Sequence, residues 1–369
     1  MPQNSTYINY FQSVCCAGEN SEALFEAICT HQTGVKVYGQ FCADKQVALG
    51  KIEQFVSIES LLEQTCKNVL EQSGLVNFEN TLLVVGSSVG GMQITEGIFL
   101  KDHHYANIDP KLHSIDAIAY LLSQKFFFKD DISFSTACTS SANALGYAYE
   151  VITKGVYENV LVVGFDTLSL TTIQGFDSLG VLSSCPCQPF DVNREGMNVA
   201  EGIAVLLLQN HSHEKSIALL GVGYSSDAHH MAHPSPEGEG ALRAMQKALQ
   251  CANLEPRAVD YINAHGTGTQ ANDTSEAIAI ETLFGNSAYV SSTKSITGHT
   301  LGAAGALEAI ICVMALQKQI LPPNTHLNES ENKTLSFVHE AKTHSLRYAL
   351  SNSLAFGGNN TSLLSGLPQ

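Results

Sequence analysis

Short apolar runs rich in β-branched residues recur along the chain, each bounded by Gly or Ser. TLLVVGSS (81–88), NVLVVGF (159–165), GIAVLLLQ (202–209) and SIALLGVGYSS (216–226) come first. VDYINAHG (259–266), SAYVSS (287–292) and LRYALSNSLAFG (346–357) continue the series. Apolar positions that run on without alternating predict strands buried on both faces. Between them the apolar spacing changes to that of a helix. In SANALGYAYEVITKG (141–155), Ala142, Leu145, Tyr149 and Ile152 form one stripe. In HTLGAAGALEAIICVMALQKQ (299–319), Leu307, Ile310, Ile311 and Met314 do the same. ALRAMQKALQCANL (241–254) predicts a third helix. Strands alternating with helices define an α/β fold.

The two halves also rhyme. STACTSS (135–141) opens one small-residue helix, and SSTKSITGHTLGAAGA (291–306) opens another. Small residues at a helix start let elements pack closely and leave backbone N–H groups facing outward. The pattern fits a duplicated fold; it also fits two unrelated Gly/Ala-rich helices. At 369 residues the chain is long enough for two domains or one large α/β unit. No apolar span of membrane length is read, and the start, MPQNSTYINYFQ, lacks the basic and apolar regions of a secretory signal.

Charge and cysteine content narrow the function classes. With 35 acidic and 19 basic side chains the formal net charge is −16. That argues against nucleic acid or an anionic membrane as the main partner, and an acidic protein partner would need a local basic patch. Ten cysteines are too few for a disulfide scaffold. Cys15–Cys16 and the Cys185/Cys187 pair have no matching second pair at zinc spacing, so the expectation is free thiols, no metal and no cofactor. Cys251 and Cys312 fall within helical patterns and are expected in the core.

Cys138 differs from the other nine. If a helix begins just after it, its thiol sits at the positive end of a helix dipole, which favours the thiolate. Of 14 histidines, two stand at the ends of predicted elements. His265 follows the strand DYINA and precedes GTGTQ; His299 follows SSTKSITG. Reactive groups collect at such strand ends in α/β sheets. DTSE (273–276) reads as a capping box, giving Asp273 and Glu276 a structural role. A thiol with two histidines suits acyl hydrolysis. A second histidine and a nearby Lys294 fit another chemistry better. Two neutral N–H donors converging on one oxygen suit a developing enolate or a carboxylate losing CO₂, and so acyl transfer followed by carbon–carbon bond formation.

These segments resemble the β-ketoacyl-acyl carrier protein synthases, condensing enzymes of the thiolase-like fold. The resemblance rests on STACTSSANALG (135–146), INAHGTGTQANDTSEA (262–277), SSTKSITGHTLGAAGALEAI (291–310) and NSLAFGGNNTSL (352–363), in family order. PFDVNREGMNVAEGIAVLLL (189–208) and GYSSDAHHMAHPSPEGEGALRAM (223–245) match more weakly. The resemblance implies a five-layered αβαβα fold with pseudo-repeated halves, residues 1–210 carrying the nucleophile and 211–369 the histidines. It implies Cys138 as acyl acceptor, and His265 and His299 as the pair that drives malonyl decarboxylation. It further implies Lys294 and Glu276 as support for the histidine site, Phe356 as a gate, and the Cys138 and Phe356 N–H groups as the oxyanion hole. It implies an acyl carrier protein as partner, a cytoplasmic location and a dimer, either a homodimer or a heterodimer with a second ketosynthase-like subunit.

The chain departs from the family pattern in three respects. It is shorter than typical members, which implies trimmed loops. Asn359 stands where Thr is usual, and Leu354 where an aromatic is frequent, so gating is expected to differ. The carrier-docking basic residues are depleted: Cys185 stands near a usual Arg, and the expected docking helix in GKIEQFVSIES (50–60) keeps little beyond Lys51. Other candidates for a basic patch are Lys125, Lys129 and Arg194. Two alternatives to an active condensing enzyme remain open: a chain-length-factor-like subunit of a heterodimer, and a thiolase-like or hydrolytic acyltransferase. The intact cysteine, histidines and lysine weigh against the first, and the spacing of GTGTQ and TKSITGH against the second.

Overall fold

The structure, a computed structural model, describes residues 5–42, 45–53, 57–227 and 229–368. Eleven strands form one hydrogen-bonded sheet. They are β1 (Thr6–Cys15), β2 (Thr81–Gly86), β3 (Asp131–Phe134), β4 (Asn159–Asp166), β5 (Gly202–Gln209), β6 (Ile217–Ser226), β7 (Tyr261–Asn263), β8 (Tyr289–Ser291), β9 (Ser336–Phe337), β10 (Tyr348–Leu354) and β11 (Asn359–Gly366). Their order across the sheet is β9-β8-β7-β10-β11-β6-β1-β5-β4-β2-β3. Within the sheet the two halves join where Thr6–Ile8 of β1 pairs antiparallel with Ile217–Leu219 of β6.

The rhyme seen in the sequence is a repeat of topology. In the first half, β3-β2-β4 run parallel, and β5 and then β1 add antiparallel. In the second half, β8-β7-β10 run parallel, and β11 and then β6 add antiparallel. The first strand of each half thus returns as the innermost, beside its counterpart.

The unbroken apolar strands are explained by covering on both faces. Leu82 and Val84 of β2, with Val160 and Val162 of β4, face a core shared with α3 (Ser140–Thr153) and α7 (Ala304–Lys318). Leu83, Val85, Leu161 and Val163 alternate to the other face, against α1 (Ile58–Ser73) and α2 (Ala117–Phe126). In the second half Ile262, Val290 and Leu350 face Met245 of α4 (Glu239–Ala252) and Ile280 of α5 (Gln270–Phe284). The layers therefore run helix, sheet, helix, sheet, helix, with α3 and α7 in the centre.

Three expectations need correction. The apolar stripe of α7 is not a stripe, because every residue from Ala304 to Leu316 is buried. The stretch Leu301–Lys318 has a mean hydropathy of 1.5 over 18 residues, enough by length and composition to cross a membrane, yet 89% of it is buried inside the fold. It is the central core helix. Cys312 lies in that core, but Cys251, at the last turn of α4, is exposed.

Candidate active site

Cys138 sits in the turn between β3 and α3. Ala137 holds a left-handed φ of 52°, a conformation that costs a residue with a Cβ about 1–3 kcal/mol. The turn is tied internally: the Ser140 hydroxyl donates to Ala137 O at 2.6 Å and accepts from Thr136 N at 2.9 Å. The helix starts at Ser140, two residues past the cysteine, as the sequence implied. Burial pushes the Cys138 thiol up to about 12, and the nearby Lys294 charge offsets only part of that. The N–H groups of Phe356 and of Cys138 itself point at the sulfur and favour its charged form.

His299 follows the short helix α6 (Lys294–Thr297), and its backbone is held on both sides. Its N–H donates to Asn198 O at 2.7 Å, and its carbonyl accepts from Ala200 N at 2.9 Å. Its Nε2 lies 3.0 Å from Cys138 Sγ. Its Nδ1 is buried without a hydrogen-bond partner among the described residues. A buried orphan donor is rarer than an orphan acceptor, so the proton belongs on Nε2, facing the sulfur. His265 presents its ring at 88° to that of His299, with centroids 5.1 Å apart.

The turn that carries His265 is held by two carboxylates. Glu276 of α5 accepts from His265 N and Gly266 N, both at 2.8 Å, and from Asn352 Nδ2 at 3.1 Å. Asp273 accepts from Thr267 N at 3.0 Å and Phe190 N at 2.8 Å. The capping-box reading is therefore corrected. Helix α5 begins three residues earlier, at Gln270, its N-cap Thr269 makes no side-chain cap bond, and the DTSE carboxylates cap the GTG turn instead. Burial pushes Glu276 up to about 7, against the pull of those N–H donors.

Lys294 is 1% exposed. Its ammonium pairs with Glu308 and donates to His265 O at 2.5 Å, and lies 3.5 Å from His265 Nδ1. Burial raises Glu308 to about 7, and Lys294 holds it from rising further. Burial first, and then the Lys294 charge, drive both imidazoles well below the usual histidine range. Both rings are therefore neutral near pH 7, each with one N–H to give. Glu308 went unread in the sequence. Its signal was a single acid in the otherwise apolar run GALEAIICVMAL.

The three reactive groups open on a cavity of about 280 Å³, walled by Phe176, Leu354 and Phe356 among others. Phe356 stands 6.1 Å from Phe176, ring centre to ring centre. The Cys138, His265 and His299 ligand atoms lie within 4.8 Å of one another, near enough to surround a thiophilic cation. The Lys294 charge beside them disfavours a second cation and suits a substrate oxygen that gains negative charge.

The docking candidates fare unevenly. Arg194 is buried, donating to Asp191 O and Thr274 Oγ1 at 2.7 Å, so it offers no surface charge. Lys125 is paired with Glu63 at 2.8 Å, whereas Lys129 and Cys185 are exposed. Lys51 is not on a helix: α1 starts at Ile58, and residues 54–56 of the expected docking helix lie outside the described residues.

A duplicated α/β sheet that brings a cysteine from one half against two histidines from the other defines a condensing-enzyme architecture. The chain belongs to the beta-ketoacyl synthase family: residues 21–214 match its N-terminal domain model and 217–328 its C-terminal one. It is 36% identical over 329 residues to a 3-oxoacyl-[acyl-carrier-protein] synthase 2 of Coxiella burnetii, covering 82% of this chain and 80% of that one. A Vibrio cholerae protein of the same name is 35% identical, covering 80% and 78%. Among solved structures, a chain of a ketosynthase–chain length factor complex from Xenorhabdus doucetiae superposes with a TM-score of 0.89 at 30% identity, covering 99% and 98%. A beta-ketoacyl synthase from Burkholderia phymatum superposes at 0.90 with 27% identity, covering 99% and 100%.

Proposed function

We propose that this chain is a decarboxylating β-ketoacyl-acyl carrier protein synthase, with residues 1–210 supplying the nucleophile and 211–369 the histidines. The observation that carries the reading is the convergence of Cys138 Sγ, His299 Nε2 at 3.0 Å and the perpendicular His265 ring on one cavity. In the first half-reaction Cys138 attacks an acyl thioester. The sulfur–acyl bond forms, and the carrier thiol leaves with the proton. The Phe356 and Cys138 N–H groups receive the oxyanion. Acylation consumes the thiol, so its high resting value means that the proton leaves as attack proceeds and ends on the departing carrier thiolate.

In the second half-reaction malonyl-carrier enters. Its carbon–carboxylate bond breaks and releases CO₂. The electron pair passes into an enolate whose oxygen the two neutral imidazoles stabilise by N–H donation. The enolate carbon then attacks the Cys138 acyl group, forming the new carbon–carbon bond and releasing the cysteine, which regains a proton. Lys294 and Glu276 position His265, through its carbonyl and its N–H respectively.

Partners follow from this chemistry. The substrates arrive on an acyl carrier protein, and the chain assembles as a homodimer or with a second ketosynthase-like subunit, as the complex from Xenorhabdus doucetiae does with its chain length factor. The heterodimer is favoured by the poor basic surface described above. A purely pocket-shaping role is disfavoured by the complete cysteine–histidine–lysine set. All ten cysteines are unpaired, which fits a reducing, cytoplasmic setting.

The test is direct. Incubation with acyl-carrier should acylate Cys138 alone, whereas iodoacetamide should also reach the exposed Cys185 and Cys251. Addition of malonyl-carrier should give 3-oxoacyl-carrier and CO₂. Acyl label on any other cysteine, or product formation by Cys138→Ala, refutes the assignment.

A further inference from the structure

The two turns that carry the reactive groups share one unusual feature. Ala137, immediately before Cys138, has a φ of 52°, and Leu301, two residues after His299, has a φ of 51°. Both carry a Cβ in a left-handed conformation that the surroundings must enforce. A single buried carboxylate, at the C-terminal end of β4, is bonded toward both. Asp166 is fully buried and makes no ion pair among the described residues. It accepts from Ser87 Oγ at 2.6 Å and Val89 N at 3.0 Å, and from Ser88 N at 2.9 Å. It also accepts from Gly302 N, next to Leu301, at 2.6 Å. Ser88 carries the connection onward: its hydroxyl donates to Ala137 O at 2.9 Å. The approach is so close that a Cβ on Gly302 would come within 2.5 Å of Ser88 N and 2.8 Å of Asp166 Oδ2.

We propose that Asp166 is a positioning residue for the condensation: its carboxylate clamps the Cys138 turn of one half to the His299 turn of the other and so sets the sulfur–imidazole distance. A carboxylate has acceptor capacity for all these donors at once, whereas an amide has one oxygen. Burial raises Asp166 to about 6, so near neutral pH it is ionised and acts as an acceptor only. Its negative charge also has a cost at the reactive sulfur, since it opposes the thiolate of Cys138. That cost gives the clamp a signature that a merely structural residue lacks.

The inference rests on the roles given above to Cys138 and His299, and its test separates the two. The variants are Asp166→Asn and Ser88→Ala. In Asp166→Asn, condensation kcat should fall about 10²-fold, the loss expected of a displacement on the order of 1 Å, with KM for acyl-carrier within about twofold. The pH profile of Cys138 alkylation, read on its own peptide by mass spectrometry, should shift to lower pH. The groups facing the sulfur there are His299, His265, Lys294 and Asp166, and only the last has changed. A folded variant with unchanged kcat, or one with lost kcat and an unmoved alkylation profile, overturns the clamp. If Asp166→Asn does not fold, Ser88→Ala decides, because it cuts only the link to Ala137 and keeps the charge. It should lower kcat about three- to tenfold, one hydrogen bond's worth, with the alkylation profile unmoved. Unchanged kcat there overturns the proposal. If the functional reading itself fails, the wild-type chain shows no condensation, while the alkylation profiles still report on the clamp.

Discussion

At the scale of single residues, burial is the leading influence on the site's titrating groups. Cys138, His265, His299, Lys294, Glu276 and Glu308 are all buried, and desolvation is the first cause of every resolved shift among them. Neutral imidazoles are what the proposed decarboxylation requires. His265→Ala and His299→Ala should each lower malonyl decarboxylation by about 10²–10³, the loss typical of one oxyanion donor, and leave acyl transfer to Cys138 at least partly intact. Separate assays of CO₂ release and of acyl-enzyme formation measure this; a variant releasing CO₂ at the normal rate removes that histidine from the mechanism. Glu276 offers a pH test. Its carboxyl moves from an ordinary 4.5 to about 7 in the fold, so folding favours the protonated form. The stability this contributes is fully present below about pH 4.5 and is lost as pH rises to about 7. Gln at this position does not titrate. The melting temperature of Glu276→Gln minus that of the wild type should therefore climb from pH 4.5 to 7 and level off above it; a falling difference contradicts the burial argument.

At the scale of elements, legibility followed apolar continuity. The strands β2, β4, β5 and β6 were readable because both their faces are covered, and so nearly every residue is apolar. Four strands of the same sheet were not: the short β3 and β9, and two longer ones. β1, TYINYFQSVC, mixes aromatics with polar residues, and several of its positions are only half-buried. β11, NNTSLLSG, is rich in small polar residues, yet Asn360, Thr361, Ser362 and Ser365 are buried. Their hydrogen bonds are tertiary, such as Thr361 Oγ1 to Asn143 at 2.6 Å and Ser362 Oγ to Asn352 at 2.7 Å, and a linear pattern does not carry them. Cys138 and the two histidines were legible because turn chemistry marks them locally. Glu308 and Asp166 were not, since each acts on partners distant in sequence. The central pair of helices can be tested. A Cβ on Gly305 of α7 would lie 2.7 Å from both the Cβ and the N of Ala142 of α3, so the helices nearly touch there. Ala142→Leu should cost about 1–3 kcal/mol or more, seen as a lower urea midpoint. An unchanged midpoint would mean that the helices can separate without cost.

At the scale of the whole molecule, topology and charge act on different functions. The repeat places Cys138 of one half against His265 and His299 of the other, so the proposed reaction centre lies where the halves meet. The net charge of −16 acts on recruitment. An acidic carrier is steered by local positive potential, and the candidates for such a patch are few. Arg194 is buried, Lys125 is neutralised by Glu63, and Lys51 lies 5.8 Å and 5.6 Å from the ring centres of Tyr38 and Phe41. Lys129 remains exposed, but Asp130 and Asp131 follow it directly. The chain alone should therefore condense carrier-bound substrates slowly, with a high KM. A more basic ketosynthase-like subunit should lower that KM by supplying the docking surface, and the gain should shrink with salt as the potential is screened. The measurements are solution mass for the chain alone and with that subunit, and initial rates across ionic strength. A stable homodimer with ordinary turnover and salt-sensitive carrier binding would refute the heterodimer and leave docking to the chain's own lysines. Lys129→Glu would then be expected to raise KM without changing kcat.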